Sequence, residues 1–156
     1  MIVSPMILVS GLIPRITRLV MANVALQIDD SEARRMVAES PAKAERAMRA
    51  AMNDGTALLL RDLQTYPPER TGQKYVRTRA LGNSWSRDIQ GDGLALRGIV
   101  GSNENMAPYN REVQDADRQA PIHQGLWTNT VQNVVSRNER TIQDMFDARF
   151  RAELGE

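Results

Sequence analysis

The chain has 156 residues, no cysteine and a formal net charge of +1. Disulfides and cysteine–zinc sites are therefore excluded, and the near-neutral balance argues against a dedicated nucleic-acid binder, which usually carries a strong basic bias. With 42% apolar and 25% charged residues, the composition is that of a globular domain long enough to bury a core without metal or disulfide staples. Aromatics are few, so that core must be mostly Ala, Leu, Ile, Val and Met.

Residues 1–20 are strongly apolar. They lack the early positive charge and unbroken apolar run of a secretory signal. Pro5 and Pro14 also break the stretch, which falls short of the roughly 20 apolar residues that span a bilayer. Two readings stand: an extension that packs on a neighbouring subunit, or a chain whose natural start is Met21. The first is preferred. It sets 1–21 apart as a flexible or partner-bound extension and leaves 22–156 as one domain.

Val24, Leu26 and Ile28 alternate with Ala25, Gln27 and Asp29, the period-two pattern of a half-buried strand. Asp29, Asp30 and Ser31 are N-cap candidates for a short helix from Glu32 to Glu39. A long helix is expected over 41–65. Its apolar stripe is Ala44, Met48, Ala51, Met52, Leu59 and Leu63, and that stripe needs a sheet or another helix to cover it. Gly55 inside it costs about 1 kcal/mol against Ala and marks a close approach or a bend. Tyr66-Pro67-Pro68 ends the helix.

Residues 69–85 are polar, contain Gly72 and Gly82, and read as an extended loop with a helical turn near 78–83. Trp85, Arg87 and Ile89 then alternate with polar neighbours. Gly91-Asp92-Gly93 is a turn signal, and Leu94, Leu96 and Val100 follow, so a β-hairpin is expected. Residues 102–127 form a long connection with a short helix between Pro108 and Asp117. The final helix, from Thr128 to Leu154, carries Val131, Val134, Val135, Ile142, Met145 and Phe146 on one stripe. Together these elements predict an α+β fold: a small, mostly antiparallel sheet packed by the long central helix and the C-terminal helix.

The residues offer little chemistry. His123 is the single histidine, so no histidine pair can hold a metal, and the glycine pairs lack the Lys-Ser/Thr of a phosphate loop. Asp115 and Asp117 beside Glu112 lack the rest of a calcium loop. No catalytic, cofactor or metal site is expected. A small nuclease relying on Glu112, His123 and arginines ranks last. One segment has unusual charge: 70–87 holds Arg70, Lys74, Arg77, Arg79 and Arg87, with Tyr75 and Trp85 interleaved and no acid. It fits contact with another protein, contact with a phosphate backbone, or a solvated loop.

Several short motifs resemble one family. They are Pro68-Glu69-Arg70-Thr71-Gly72, then Arg77-Thr78-Arg79-Ala80-Leu81-Gly82-Asn83-Ser84-Trp85, then Gly98-Ile99-Val100-Gly101-Ser102 and Met106-Ala107-Pro108-Tyr109-Asn110-Arg111-Glu112-Val113. This series is similar to the tail-completion, or head–tail joining, proteins of long-tailed phages (the lambdoid gene-product-ten-like minor tail components). The layout fits over 22–153. It departs at Gln114-Asp115-Ala116-Asp117 and at the insert Gln73 to Val76.

The resemblance implies a virion subunit of the neck or tail end that is made in the host cytoplasm. It implies ring assembly, as a hexamer or dodecamer, against tail-tube, terminator, adaptor or portal proteins. Contact with DNA would be passing; no catalysis, cofactor or membrane is implied. The contact residues expected on this reading are Arg70, Lys74, Tyr75, Arg77, Arg79, Trp85 and Arg87 from the basic segment, and Tyr109, Arg111 and Arg118 from the 102–127 connection. The alternative is a nucleic-acid-binding module using the 70–87 segment.

Overall fold

The computed structural model describes residues 7–10, 25, 26, 35, 38, 40–69, 71, 72, 76–93, 95–115, 117–121 and 124–155. Its strands are β1 (Ile7–Ser10), β2 (Ala25–Leu26), β3 (Trp85–Gln90) and β4 (Arg97–Ser102). Its helices are α1 (Pro41–Leu63), α2 (Ala80–Ser84), α3 (Asn110–Gln114) and α4 (Val131–Leu154). The fold is α+β.

The four strands form one sheet in the order β2-β1-β4-β3. β3 and β4 are the expected hairpin, antiparallel, with Trp85 opposite Ser102 and Ile89 opposite Gly98. Their connection is wider than the glycine turn alone. Gly91 and Gly93 both have positive φ, Ala95 N–H donates to Asp92 C=O at 3.0 Å, and Leu96 is buried before β4 begins. β1 runs antiparallel to β4, from Ile7↔Val100 to Ser10↔Arg97, and parallel to β2.

For residues 7–10, that pairing corrects the reading of an extension outside the domain. β4 has polar backbone groups on both edges, and the four-residue strand Ile7–Ser10 satisfies the edge that the hairpin leaves open. The rest of 1–21, with Met21, lies outside the described residues. So do Val24, Ile28 and Leu94. Of the expected helix over 32–39, Arg35 and Ala38 are described, and both are helical.

α1 starts where Pro41 occupies its first turn, a position whose N–H would have no helical partner anyway. All six residues of the expected stripe are buried, together with Ala47, Gly55, Thr56 and Leu58. The Thr56 hydroxyl is satisfied by donating to Met52 C=O at 2.8 Å. α4 is capped by Thr130, whose hydroxyl accepts the Asn133 N–H, and ends at Gly155 with φ 86.

α1 and α4 run antiparallel, as the pairs Arg46–Glu153, Asp54–Arg149 and Asp62–Arg137 require. The two helices and the inner face of the hairpin share one core. It contains Met48, Met52, Leu59, Trp85, Leu96, Val100, Ile142, Phe146 and Phe150. Gly55 lies on the buried face of α1 toward α4, where a Cβ would meet Ile142 Cγ2 at 3.4 Å, an ordinary contact. At roughly 1.5–3 kcal/mol for each large apolar side chain buried, this core outweighs the exposed ion pairs, at about 0–1 kcal/mol each.

Candidate functional site

A second, smaller cluster sits past the C-terminal end of α1 and the N-terminal end of α4. It consists of Leu81, Ala107 and Trp127, with Tyr66 and Val113 packed against it. This satellite core is where the basic segment and the long connection meet.

On the basic side, Tyr66 is the centre. Its ring meets Trp127 edge-on, with centroids 5.3 Å apart and planes at 86°. Its hydroxyl accepts the Gly82 N–H at 2.8 Å. Arg77 lies over its face at 5.6 Å and donates to the carbonyls of Pro67 and Pro68, the latter at 3.1 Å. A guanidinium bonded to two carbonyls and stacked on an aromatic ring is a rigid clamp. It pins the descending end of the loop to the exit of α1. Two residues on, Arg79 is the single described non-glycine residue with positive φ, 60°. It turns the chain into α2, where Ser84 Oγ donates to Leu81 C=O at 2.7 Å.

On the other side, polar side chains brace the long connection. Asn103 Oδ1 accepts the Asn105 N–H at 2.9 Å, and Asn110 Nδ2 donates to Ser102 Oγ at the end of β4. Gln114 Nε2 donates to Asn110 Oδ1 at 3.0 Å, while its Oε1 accepts the Val131 N–H at 2.6 Å. Gln114 thus supplies an acceptor for the first turn of α4 from a distant segment. Buried Gln119 donates to the carbonyls of Val113 (3.0 Å) and Trp127 (3.4 Å). Asn110, Gln119 and Thr130 are buried and bonded, as buried polar groups must be. The indole N–H groups of Trp85 and Trp127 are buried without a protein acceptor.

The residues expected at a contact surface separate on this frame. Arg70, Lys74 and Tyr75 lie outside the described residues, as does His123. Trp85 is corrected: only 3% exposed, it belongs to the main core, because the strand that carries it turns alternate side chains toward α1. Arg87 shares that alternation. It donates to Asn53 C=O (2.9 Å), Asn53 Oδ1 (2.7 Å) and Thr56 Oγ1 (3.3 Å), so it ties β3 to α1. Arg77 is likewise engaged within the chain. Arg79, Arg87, Tyr109, Arg111 and Arg118 are exposed.

Of the large apolar side chains left at the surface, sequence reading singled out Tyr109 and missed Val76, Met106 and Leu126. Val76 is 82% exposed, Met106 48%, Tyr109 44% and Leu126 40%. All four sit in the segments around the satellite core. Met and Tyr alongside Arg is the composition enriched at protein interfaces. The sequence signal was available only in part, since an apolar residue in a polar loop looks the same whether it turns in or out. Tyr66, Asn110, Gln114 and Gln119 were also passed over, because a helix end and a polar stretch do not announce a brace.

Elsewhere, an open groove between α1 and β3 is lined by Glu45, Arg46, Arg49, Asn53 and Ile89. Its charges are spent on Arg46–Glu153 and Arg49–Glu45 pairs. Among the described residues no group of three or more His, Cys, Asp or Glu side chains is placed to hold a metal ion. No helix among them is long and apolar enough to cross a membrane. No known protein family, curated protein or solved structure matches the chain.

Proposed function

We propose that the chain is a structural virion subunit of the neck or tail end of a long-tailed phage, a tail-completion or head–tail joining protein that works as a ring. The observation that carries this reading is the braced end just described. Its loops are held rigid by internal clamps, yet they present Val76, Met106, Tyr109 and Leu126 to solvent beside Arg79, Arg111 and Arg118. Ordered loops with exposed apolar and arginine side chains suit docking to another protein, with little ordering cost on binding. Two of the motif runs similar to the tail-completion family, those over 77–85 and 106–113, contribute Leu81, Ala107 and Val113 to the cluster at this end.

The nucleic-acid reading is less well supported. Of the three described cations of the basic segment, Arg77 and Arg87 are committed to carbonyls of their own chain. Electron micrographs of the purified protein, alone and mixed with tail-tube and connector proteins, test the proposal. Rings, hexameric or dodecameric, are expected. A monomer under every condition, together with salt-sensitive binding to DNA, would transfer the assignment to the nucleic-acid module.

A further inference from the structure

β3 is the last strand of the sheet in the order β2-β1-β4-β3, so among the described residues one of its edges has no strand beside it. The register shows which groups lie on that edge. Asn103 N–H donates to Ser84 C=O at 2.9 Å, one step beyond the pair Trp85↔Ser102. Hydrogen-bonded pairs alternate with non-bonded ones along an antiparallel ladder, so Ser86, Asp88 and Gln90 turn their main chain to β4. Trp85, Arg87 and Ile89 turn theirs to the open edge. Ser86, Arg87, Asp88 and Gln90 are exposed and Ile89 is half-buried, so the edge is reachable. An open strand of six residues is a template for a further strand, and folded proteins guard such edges.

Here the guard is local. Asp88 Oδ1 accepts the Ile89 N–H at 2.8 Å, and Oδ2 accepts Gln90 Nε2 at 2.9 Å. The carboxylate occupies a donor that an incoming strand would need, and Gln90 holds it in place. We infer that Asp88 is a built-in block on the edge of β3, which keeps a second copy of this chain from adding its own β3 to the sheet. Such pairing across a twofold axis has to set the outward residues Trp85, Arg87 and Ile89 of the two copies against one another. The register centred on Asp88, which overlaps residues 86–90, puts the two Asp88 carboxylates directly opposite in a non-hydrogen-bonded pair, where side chains come closest and like charges repel. The register centred on Arg87, which overlaps residues 85–89, matches Ile89 with Trp85. Both registers need the Ile89 N–H that Asp88 holds. A ring of the kind proposed above would therefore form through other surfaces.

Sedimentation velocity and amide hydrogen exchange of the full chain test this together. In the wild type the outward Arg87 amide exchanges quickly at every concentration. Asp88→Ala removes cap and charge at an exposed position. Self-association through β3 then strengthens by about tenfold or more, and the Arg87 amide slows in the associated form. Asp88→Thr, a residue suited to strands, gives the same gain with the native melt retained, which separates edge pairing from aggregation of an unfolded chain. Wild-type sedimentation from a folded Asp88→Thr protein overturns the inference. Association that leaves the Arg87 amide fast also overturns it, because another surface is then at work. A slow Arg87 amide in a wild-type assembly overturns it as well, because the edge is then already in use.

Discussion

Gly82→Ala probes the satellite core at its tightest point. A Cβ at position 82 would lie 2.9 Å from Tyr66 Cε2 and 3.4 Å from the Gln64 carbonyl oxygen. The ring cannot simply turn aside. It is held by the Gly82 N–H at 2.8 Å, by Trp127 edge-on and by Arg77 over its face. Overpacking of this kind costs about 1–3 kcal/mol. Losing the Gly82–Tyr66 hydrogen bond adds about 0.5–1.5 kcal/mol. Ala is the better helix former by about 1 kcal/mol, which offsets part of the loss in α2. The net is a destabilisation of about 1–3 kcal/mol, or a fall in Tm of roughly 3–10 °C for a domain of this size. Thermal melts by far-UV circular dichroism give the number. The near-UV signal of Trp127 reports whether the ring has moved. Tyr66→Phe alone should cost about 1 kcal/mol by leaving the Gly82 N–H unpaired. With Tyr66→Leu in place, Gly82→Ala should cost less than it does alone. A Gly82→Ala protein that melts at or above the wild type refutes the close-packing argument.

Three further substitutions follow from the same structure. Gly55→Ala should stabilise the chain by up to about 1 kcal/mol, since the helix gains propensity and the new methyl group meets Ile142 at ordinary contact distance; a lowered urea midpoint would count against it. Gly91→Ala should cost at least about 2 kcal/mol, because φ is +91° and the Cβ would fall 2.1 Å from the Ala95 carbonyl oxygen, and its urea midpoint should drop with the slope unchanged. Asp62 tests pH dependence. Burial pushes its carboxyl up, but hydrogen bonds from Asn138, Arg137 and Arg61 and the charge of Arg137 outweigh that and hold it below the ordinary value. A depressed carboxylate contributes stability that is present at neutral pH and lost as pH falls through its folded value. Asp62→Asn should therefore cost about 1–2 kcal/mol at pH 7, and in urea titrations the gap to wild type should narrow as pH falls below the ordinary carboxyl value of 3.8; a gap that stays constant into acid would falsify the assignment.

The two long helices and the hairpin were legible because their signals are local and periodic. Ala44, Met48, Ala51, Met52, Leu59 and Leu63 recur at helical spacing, and each is buried. Trp85 and Ile89 alternate, and both turn to the core. The place of Ile7–Ser10 in the sheet was not legible, because Pro5 and Pro14 bracket a run too short to show a period, and its partner β4 lies some ninety residues away. The site was legible in composition but not in direction. Five cations in 70–87 stand out in the sequence. Which of them is engaged by its own chain is decided by unrelated neighbours: the proline carbonyls for Arg77, and Asn53 with Thr56 for Arg87. The polar brace through Asn110, Gln114 and Gln119 was invisible for the same reason, since its partners lie 4 to 17 residues away along irregular chain.

The division between inward and outward residues bears on what the motifs can mean. In Leu81-Gly82-Asn83-Ser84-Trp85, four of the five residues are buried: Leu81 in the satellite core, Gly82 under the Tyr66 ring, Ser84 bonded to Leu81, and Trp85 in the main core. A segment of this composition is selected by packing, and any chain that must build the same corner would arrive at similar residues. It therefore speaks to how this end of the domain folds. On the proposed reading, partner choice would come from side chains that the corner leaves outside, such as Val76, Arg79, Met106, Tyr109 and Glu112, because function resides in the site carried by a fold and not in the fold. The clamp of Arg77 on Tyr66 and the two prolines joins the two roles. It is made wholly within the chain, with Glu69 adding an ion pair to Arg77 at 3.9 Å, and it fixes the start of the exposed stretch that carries Val76 and Arg79. Breaking it, as Arg77→Met would, should leave α1, α4 and the hairpin folded while lowering the order of 76–79. Far-UV circular dichroism would then stay near wild type, and hydrogen exchange at those amides would rise.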